Sequence, residues 1–307
     1  MNLCKPPLCC AAVLLLAVAF LPAAASEIRI TAERTMILAD AEPRLEYRYA
    51  GADLFKPYVA GLYLPGSVNP LRDAPHDHLH HHALMFAWNV DNTEFWAETP
   101  ESGRQLHDAF ADAVIDGNTG PAGFAERLSW VAPAAQGARD TLLLEERRLL
   151  LLRGGSDGPT LLDWSSRFSL PPGKVAARIG GREYHGLGVR FVASMDSDGQ
   201  FLSSEGGQSV EETNGKRARW CSYSAKLESG APVTLAIFDH PRNPRSPADW
   251  FTMNSPFAYM TATLGVDAEP LMLEPGQRLE LRYGVALFAG KAPAEAIEAA
   301  YRGWLER

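Results

Sequence analysis

Five of the eight histidines of this 307-residue chain fall within seven positions, His76-Asp77-His78-Leu79-His80-His81-His82. Imidazoles beside a carboxylate suit a general acid or base whose tautomer the carboxylate fixes, or a divalent transition metal. The spacing matches no standard zinc motif, so no residue is assigned as a metal ligand and no cofactor is required. Three uses stay open: proton transfer or substrate binding, a divalent metal, and a polar loop whose buried histidines simply satisfy hydrogen bonds. If the run is extended, His76, His78, His80 and His82 share one face, with Asp77 and His81 on the other.

Two more segments have the composition of a site. Tyr184-His185-Gly186-Leu187-Gly188-Val189-Arg190 sets a histidine and an arginine around two glycines, which let a ligand or a neighbouring backbone come close; a β-bulge with a surface arginine is the plainer alternative. Asp239-His240-Pro241-Arg242-Asn243-Pro244-Arg245 follows the apolar run Val233–Phe238 and places polar side chains at a rim, although a rigid loop would read the same way. Trp88, Phe95 and Trp96 come just after the histidine run, and Trp250 and Phe251 after the proline loop. Rings flanking polar groups suit a sugar, whose C–H faces stack while its hydroxyls are hydrogen-bonded. Glu94 is a candidate carboxylate partner.

These segments must be carried by strands. Runs such as Glu27–Glu33, Arg44–Tyr49, Tyr58–Leu64, Thr141–Arg153 (bent or broken), Leu161–Leu170, Val189–Ser194, Arg219–Ser224, Val233–Phe238 and Arg278–Leu287 are divided by turn signals such as Pro171-Pro172-Gly173 and Asn214-Gly215. Leu106–Ile115 fits a helix or a strand pair. After Pro293, Ile297, Ala300, Tyr301, Trp304 and Leu305 recur at helical spacing. The expected fold is an all-β, large two-sheet sandwich with a short C-terminal helix, forming one domain over residues 26–307.

Residues 1–25 read as a secretory signal peptide: Lys5, an apolar run Ala11–Phe20 too short to span a bilayer, and Ala23-Ala24-Ala25 for cleavage. The expected location is the periplasm or the medium, without membrane insertion. Cleavage removes Cys4, Cys9 and Cys10, leaving Cys221 unable to form an internal disulfide. It also takes the formal charge from −8 to 28 − 37 = −9, which argues against nucleic acid as a partner. No Walker loop, dinucleotide fingerprint, His-Glu-x-x-His or Gly-x-Ser-x-Gly is present, so the corresponding nucleotide, zinc-protease and hydrolase classes fall away.

Asp77-His78-Leu79-His80-His81, then Glu94-Phe95-Trp96, Gly186–Arg190, Trp220–Tyr223, Phe238–Arg245 and Pro275-Gly276-Gln277 in order resemble the blocks of the family labelled PmoA-like. Leu79, His82 and Ala83 depart from its usual proline, arginine and glycine. The resemblance implies an exported bacterial protein, a sandwich like those of galactose mutarotases and a carbohydrate partner. The resulting expectation is a groove with His78, His81, His185 and His240 as acid/base residues at a sugar carbon. Arg190, Asp239, Asn243, Arg245, Glu94 and Trp96 would bind the substrate. A noncatalytic sugar- or metal-binding protein is the alternative, and metal-dependent oxidation, which the family label suggests, is a third. Mass spectrometry of the exported protein is expected to find a chain that begins near Ser26; recovery of the intact chain from the cytosol alone would overturn the export reading.

Overall fold

The computed structural model describes residues 26–39, 41–115, 121–133, 140–152 and 158–307; the expected leader lies outside them. Nine antiparallel strands form a front sheet in the order Ser26–Ile30, Arg34–Ala39, Glu42–Arg48, Tyr58–Leu62, Leu84–Ala87, Gly186–Arg190, Tyr259–Thr263, Asp249–Met253 and Lys216–Arg217. Eight form a back sheet: Gln200–Ser203, Trp220–Lys226, Pro232–Asp239, Leu279–Ala289, Thr160–Ser169, Thr141–Leu152, Ala122–Val131 and Arg104–Ile115. A small four-stranded sheet, Leu271–Leu273, Ala177–Gly180, Asn89–Val90 and Thr93–Glu94, was not foreseen, its strands being too short to show alternation.

The sheets are held face to face by rings from both. Phe86 of the front sheet meets Trp130 and Phe168 of the back sheet, and Tyr47 meets Phe124. The helix Ala294–Leu305, with Pro293 as its N-cap, covers the outer face of the back sheet through Ile297, Tyr301 and Trp304. This explains Leu149-Leu150-Leu151-Leu152. Leu149 and Leu151 enter the main core while Leu150 and Leu152 face the helix layer, so both faces of one strand are apolar. Thr141–Leu152 pairs on both sides and is unbroken, with a register shift against Ala122–Val131 between Thr141 and Leu143. Arg104–Ile115 is a strand, and Val189–Ser194 is the end of Gly186–Arg190 followed by a 3₁₀ turn at Ala193–Met195.

Between the sheets lies a buried ionic network. Arg147 is fully buried; its Nε and Nη2 donate to Glu145 at 2.8 and 2.9 Å. Nη1 donates to Tyr47 Oη at 3.0 Å and to the Pro57 carbonyl at 3.1 Å, and Nη2 also to Gln105 Oε1 at 3.0 Å. Glu145 further accepts from Trp130 Nε1 and Ser166 Oγ, at 2.8 and 2.6 Å, and Gln105 Nε2 donates to the Phe86 carbonyl at 2.9 Å. Each guanidinium nitrogen has an acceptor, which makes burial of the charge tolerable.

Arg147→Ala is expected to cost about 3–5 kcal/mol by urea unfolding, because Glu145 is left buried without its cation. Replacing Arg147 and Glu145 together by apolar residues should cost less than the single change. A single-variant loss within about 1 kcal/mol would remove the network from the fold's main supports.

Candidate functional site

The histidine run is not extended. After Asp73 the chain makes two consecutive turns, with His78 N–H donating to the Pro75 carbonyl and His81 N–H to the His78 carbonyl, each at 2.9 Å. Ala74 N–H closes the loop on the His81 carbonyl at 2.9 Å, and Asp73 bridges His82. The alternation expected of a strand is thereby lost. His78 instead stacks on His81, with centroids 4.6 Å apart, and His80 meets His81 edge-on at 4.6 Å. His76 and Leu79 point outward, His78 and His80 are half-buried, and His81 is buried.

Beneath this loop runs the strand Gly186–Arg190, paired with Leu84–Ala87 on one side and Tyr259–Thr263 on the other. His185 lies parallel to Trp96, centroids 5.0 Å apart, and Trp96 meets Tyr184 and Tyr259 edge-on at 5.2 and 5.9 Å. His81 lies 5.5 Å from both Phe257 and Tyr259. The Arg190 guanidinium sits 3.5 Å above the Phe257 ring. Gly188 is needed here: a Cβ would fall 1.9 Å from Tyr259 Oη and 2.9 Å from Thr261 Oγ1.

The polar atoms of this floor are short of partners. His81 Nδ1, both ring nitrogens of His185, and Nε and Nη1 of Arg190 are buried without a hydrogen-bond partner in the protein, although His185 and Arg190 are each only 1% exposed. Burial, reinforced by the charges of His80, His78 and Arg190, lowers the His81 pKa to about 2; burial beside Arg182 and Lys56 lowers that of His185 to about 3. Both rings are neutral at physiological pH.

A second set of polar groups anchors the loop and is closed on itself. Buried Lys56 donates to the Trp96 carbonyl at 2.8 Å and to Glu98 Oε1 at 2.7 Å. Glu98 Oε1 also lies 2.9 Å from His82 Nε2, while His82 Nδ1 lies 2.7 Å from Asp73 Oδ1. Burial opposes a charge on His82, but the two carboxylates outweigh it and raise its pKa. The ring stacks on Tyr58, whose hydroxyl donates to Asp73 Oδ2 at 2.7 Å. Ala83, the next residue, has φ +28°.

The sequence-predicted site therefore divides. His78, His81, His185, Arg190 and Trp96 come together. His240 does not join them: it lies edge-on to Trp304 under the C-terminal helix, and its backbone N–H donates to the Arg282 carbonyl. Asn243 Nδ2 donates to Asp239 Oδ1 at 2.7 Å and to the Arg282 carbonyl at 2.8 Å, fixing the loop that carries all three. Arg245 Nη1 donates to the carbonyls of Leu264, Gly265 and Glu269, so it pins that loop to its neighbour. Glu94 is half-buried in the small sheet, and the carboxylate beside the histidine loop is Glu98. Lys56, Tyr58, Asp73, Glu98, Phe257 and Tyr259 were missed; the only sequence signal among them was a lysine set between Phe55 and Pro57. Cys221 is buried, which pushes its thiol pKa up and leaves it unreactive. Among the described residues no group of three His, Cys, Asp or Glu side chains is placed to hold a metal ion, and no helix is long and apolar enough to cross a membrane.

A model of a family of unknown function matches residues 34–302. It corrects the resemblance drawn from the histidine and later blocks: the matching family is this one, not the family labelled PmoA-like. No curated protein matches the chain. Among solved structures, an α-galactosidase of Geobacillus stearothermophilus in complex with raffinose is similar at 11% identity and a TM-score of 0.42, covering 86% of this chain and 41% of that one. An α-galactosidase from Lactobacillus brevis is similar at 8% identity and 0.39, covering 86% and 39%. The chain thus spans about two fifths of these enzymes. A GalM/aldose epimerase homologue from C. elegans is similar at 9% identity and 0.34, covering 87% of this chain and all of that one.

The depressed histidines have a consequence for stability. Below pH 6.5 the unfolded chain protonates His81 and His185 while the folded chain does not, so stability falls with pH until their folded values of about 2 and 3 are reached. His82, shifted upward, opposes this slope near pH 6.5, where its unfolded ring is still partly deprotonated, and adds little toward pH 5, where it is protonated in both states. Urea unfolding at pH 5.0 and 6.5 is expected to give a slope of up to about 1.4 kcal/mol per pH unit from each of the two rings. His81→Phe and His185→Phe should each flatten it; unchanged slopes would mean that these rings are protonated in the folded protein.

Proposed function

The chain belongs to a family of unknown function (DUF6807), which supplies no chemistry, and from the site alone we propose that it binds a small carbohydrate at the cluster of His78, His81, Trp96, Tyr184, His185 and Arg190. One observation carries the reading: buried donors and acceptors left without protein partners are interleaved with aromatic rings. A pyranose presents the matching surface. Its C–H faces stack on Trp96, Tyr184 and Phe257, while its hydroxyls meet the neutral imidazoles and the guanidinium. Entry requires the histidine loop to lift, since the floor atoms beneath it are buried.

For turnover, one neutral imidazole takes a proton at a sugar carbon or hydroxyl and a second group returns one to the ring or glycosidic oxygen. His81 and His185 are the pair placed to do so, with the Tyr259 phenol, kept protonated by burial, as a third donor. Their low pKa values make them weak bases while the site is closed, and this favours the second reading, a sugar-binding protein without turnover. The leader-like residues 1–25 support a place for either activity in the periplasm or outside the cell.

Calorimetry against a panel of mono- and disaccharides is expected to find binding that His78→Ala and His185→Gln each weaken at least tenfold. His240→Ala, in the separate cluster, should leave it unchanged. NMR of the bound sugar separates the readings: a changed anomer, epimer or linkage means turnover, and an unchanged sugar means binding alone. Equal losses in all three variants, or none, would remove the sugar from this site.

A further inference from the structure

Among the described residues two arginines are sealed from solvent, and they are treated differently. Arg147 makes five hydrogen bonds that serve all three of its nitrogens. Arg190, 1% exposed, has a single weak contact, from Nη2 to Asp77 Oδ2 at 3.4 Å; Nε and Nη1 have no acceptor. The Phe257 ring covers one face of the guanidinium but offers no charge to balance it. A buried cation this poorly compensated is expensive to keep in a fold that elsewhere satisfies the same group fully.

No other carboxylate hydrogen-bonds to it, and Asp196 acts on it only through its charge at a distance. Asp196 accepts from Ala258 N–H at 2.7 Å and faces Arg72 at 3.8 Å. Asp73 and Glu98 are held by His82, Tyr58 and Lys56. Asp77 is itself an imperfect partner. It is 37% exposed, sits at the turn of the loop that closes the site, and also lies 3.1 Å from His78 Nδ1, so it is shared between two neighbours. The loop that must lift to admit a ligand is the loop that brings Asp77.

We infer that the sugar bound here is an acidic one, a uronic acid or a glycoside of one, whose carboxylate displaces Asp77 from Arg190. The inference rests on the carbohydrate reading above and narrows it. Asp77 acts as an internal stand-in: the same functional group, supplied by the protein, occupies the guanidinium until the ligand brings its own. A carboxylate that takes the Nε–Nη2 edge, where Asp77 now holds only Nη2, leaves the neutral rings of His81 and His185 to the hydroxyls. It also cancels the positive charge that helps to hold His81 unprotonated, so binding the acidic group makes His81 a better base.

The test is calorimetry of the full protein with D-glucuronate, D-galacturonate, D-glucose, D-galactose and D-glucose 6-phosphate, at two salt concentrations. At least one uronate is expected to bind tenfold or more tightly than its neutral counterpart, and more weakly at the higher salt. Arg190→Gln should bring the uronate down to the affinity of the neutral sugar, and Arg190→Lys should keep part of the difference if the glutamine variant folds poorly. Asp77→Asn should tighten the uronate severalfold, because the competing carboxylate is gone. If neutral sugars bind as well as uronates, the acidic ligand is ruled out and the carbohydrate reading stands. If only the phosphate binds tightly, the carboxylate is the wrong anion and the inference fails. If nothing in the panel binds, both readings fall; if Asp77→Asn weakens the uronate, Asp77 is a partner of the ligand and not its stand-in.

Discussion

The buried pair Arg147–Glu145 is the constraint from which the rest of the sandwich can be traced. Both residues belong to the back sheet, yet the guanidinium reaches the front sheet through Tyr47 and the Pro57 carbonyl, and Gln105 extends the contact to the Phe86 carbonyl. Apolar packing between two sheets tolerates sliding, whereas a buried charge with directional acceptors does not. The network therefore fixes how one sheet sits over the other. Lys56, next in the chain to Pro57, continues the path: it holds Glu98 and the Trp96 carbonyl, and Glu98 holds His82 at the base of the histidine loop. The loop is positioned from inside the sandwich.

The contrast between satisfied and unsatisfied polar groups separates support from site. Lys56, Glu98, His82 and Asp73 alternate in charge and find partners in one another, and their cost of burial is offset locally. One residue earlier in the same loop, His81 borders Trp96 and Phe257, the rings that also contact His185 and Arg190, and there hydrogen-bonding capacity goes unused. Adjacent histidines in one motif thus carry opposite electrostatics. His82 is raised by two carboxylates; His81 is depressed by burial and by neighbouring cations. A protein built for stability alone would not keep both arrangements side by side.

The amino-acid sequence by itself determined the strands whose faces alternate, as in Arg278–Tyr283, and the C-terminal helix, whose Ile297, Tyr301 and Trp304 repeat with a helical period. It also singled out His78, His81, His185, Arg190 and Trp96, because clustered imidazoles and a glycine-flanked arginine are unusual in any context. Local pattern is enough where burial has one periodic direction. Only the tertiary structure decided which polar segments share a site. The Asp239–Arg245 loop has as much polar character as the histidine run, but pairing of Pro232–Asp239 with Leu279–Ala289 carries it beneath the C-terminal helix, where Asn243 and Arg245 are consumed by backbone carbonyls. Lys56 and Glu98 are separated by 42 positions and Arg190 and Asp77 by 113. Such partners are chosen by sheet order and loop folding, and no local spacing encodes them. The physical reason is that a side chain's chemistry is local, while its desolvation and its partners are set by whatever the fold places across from it.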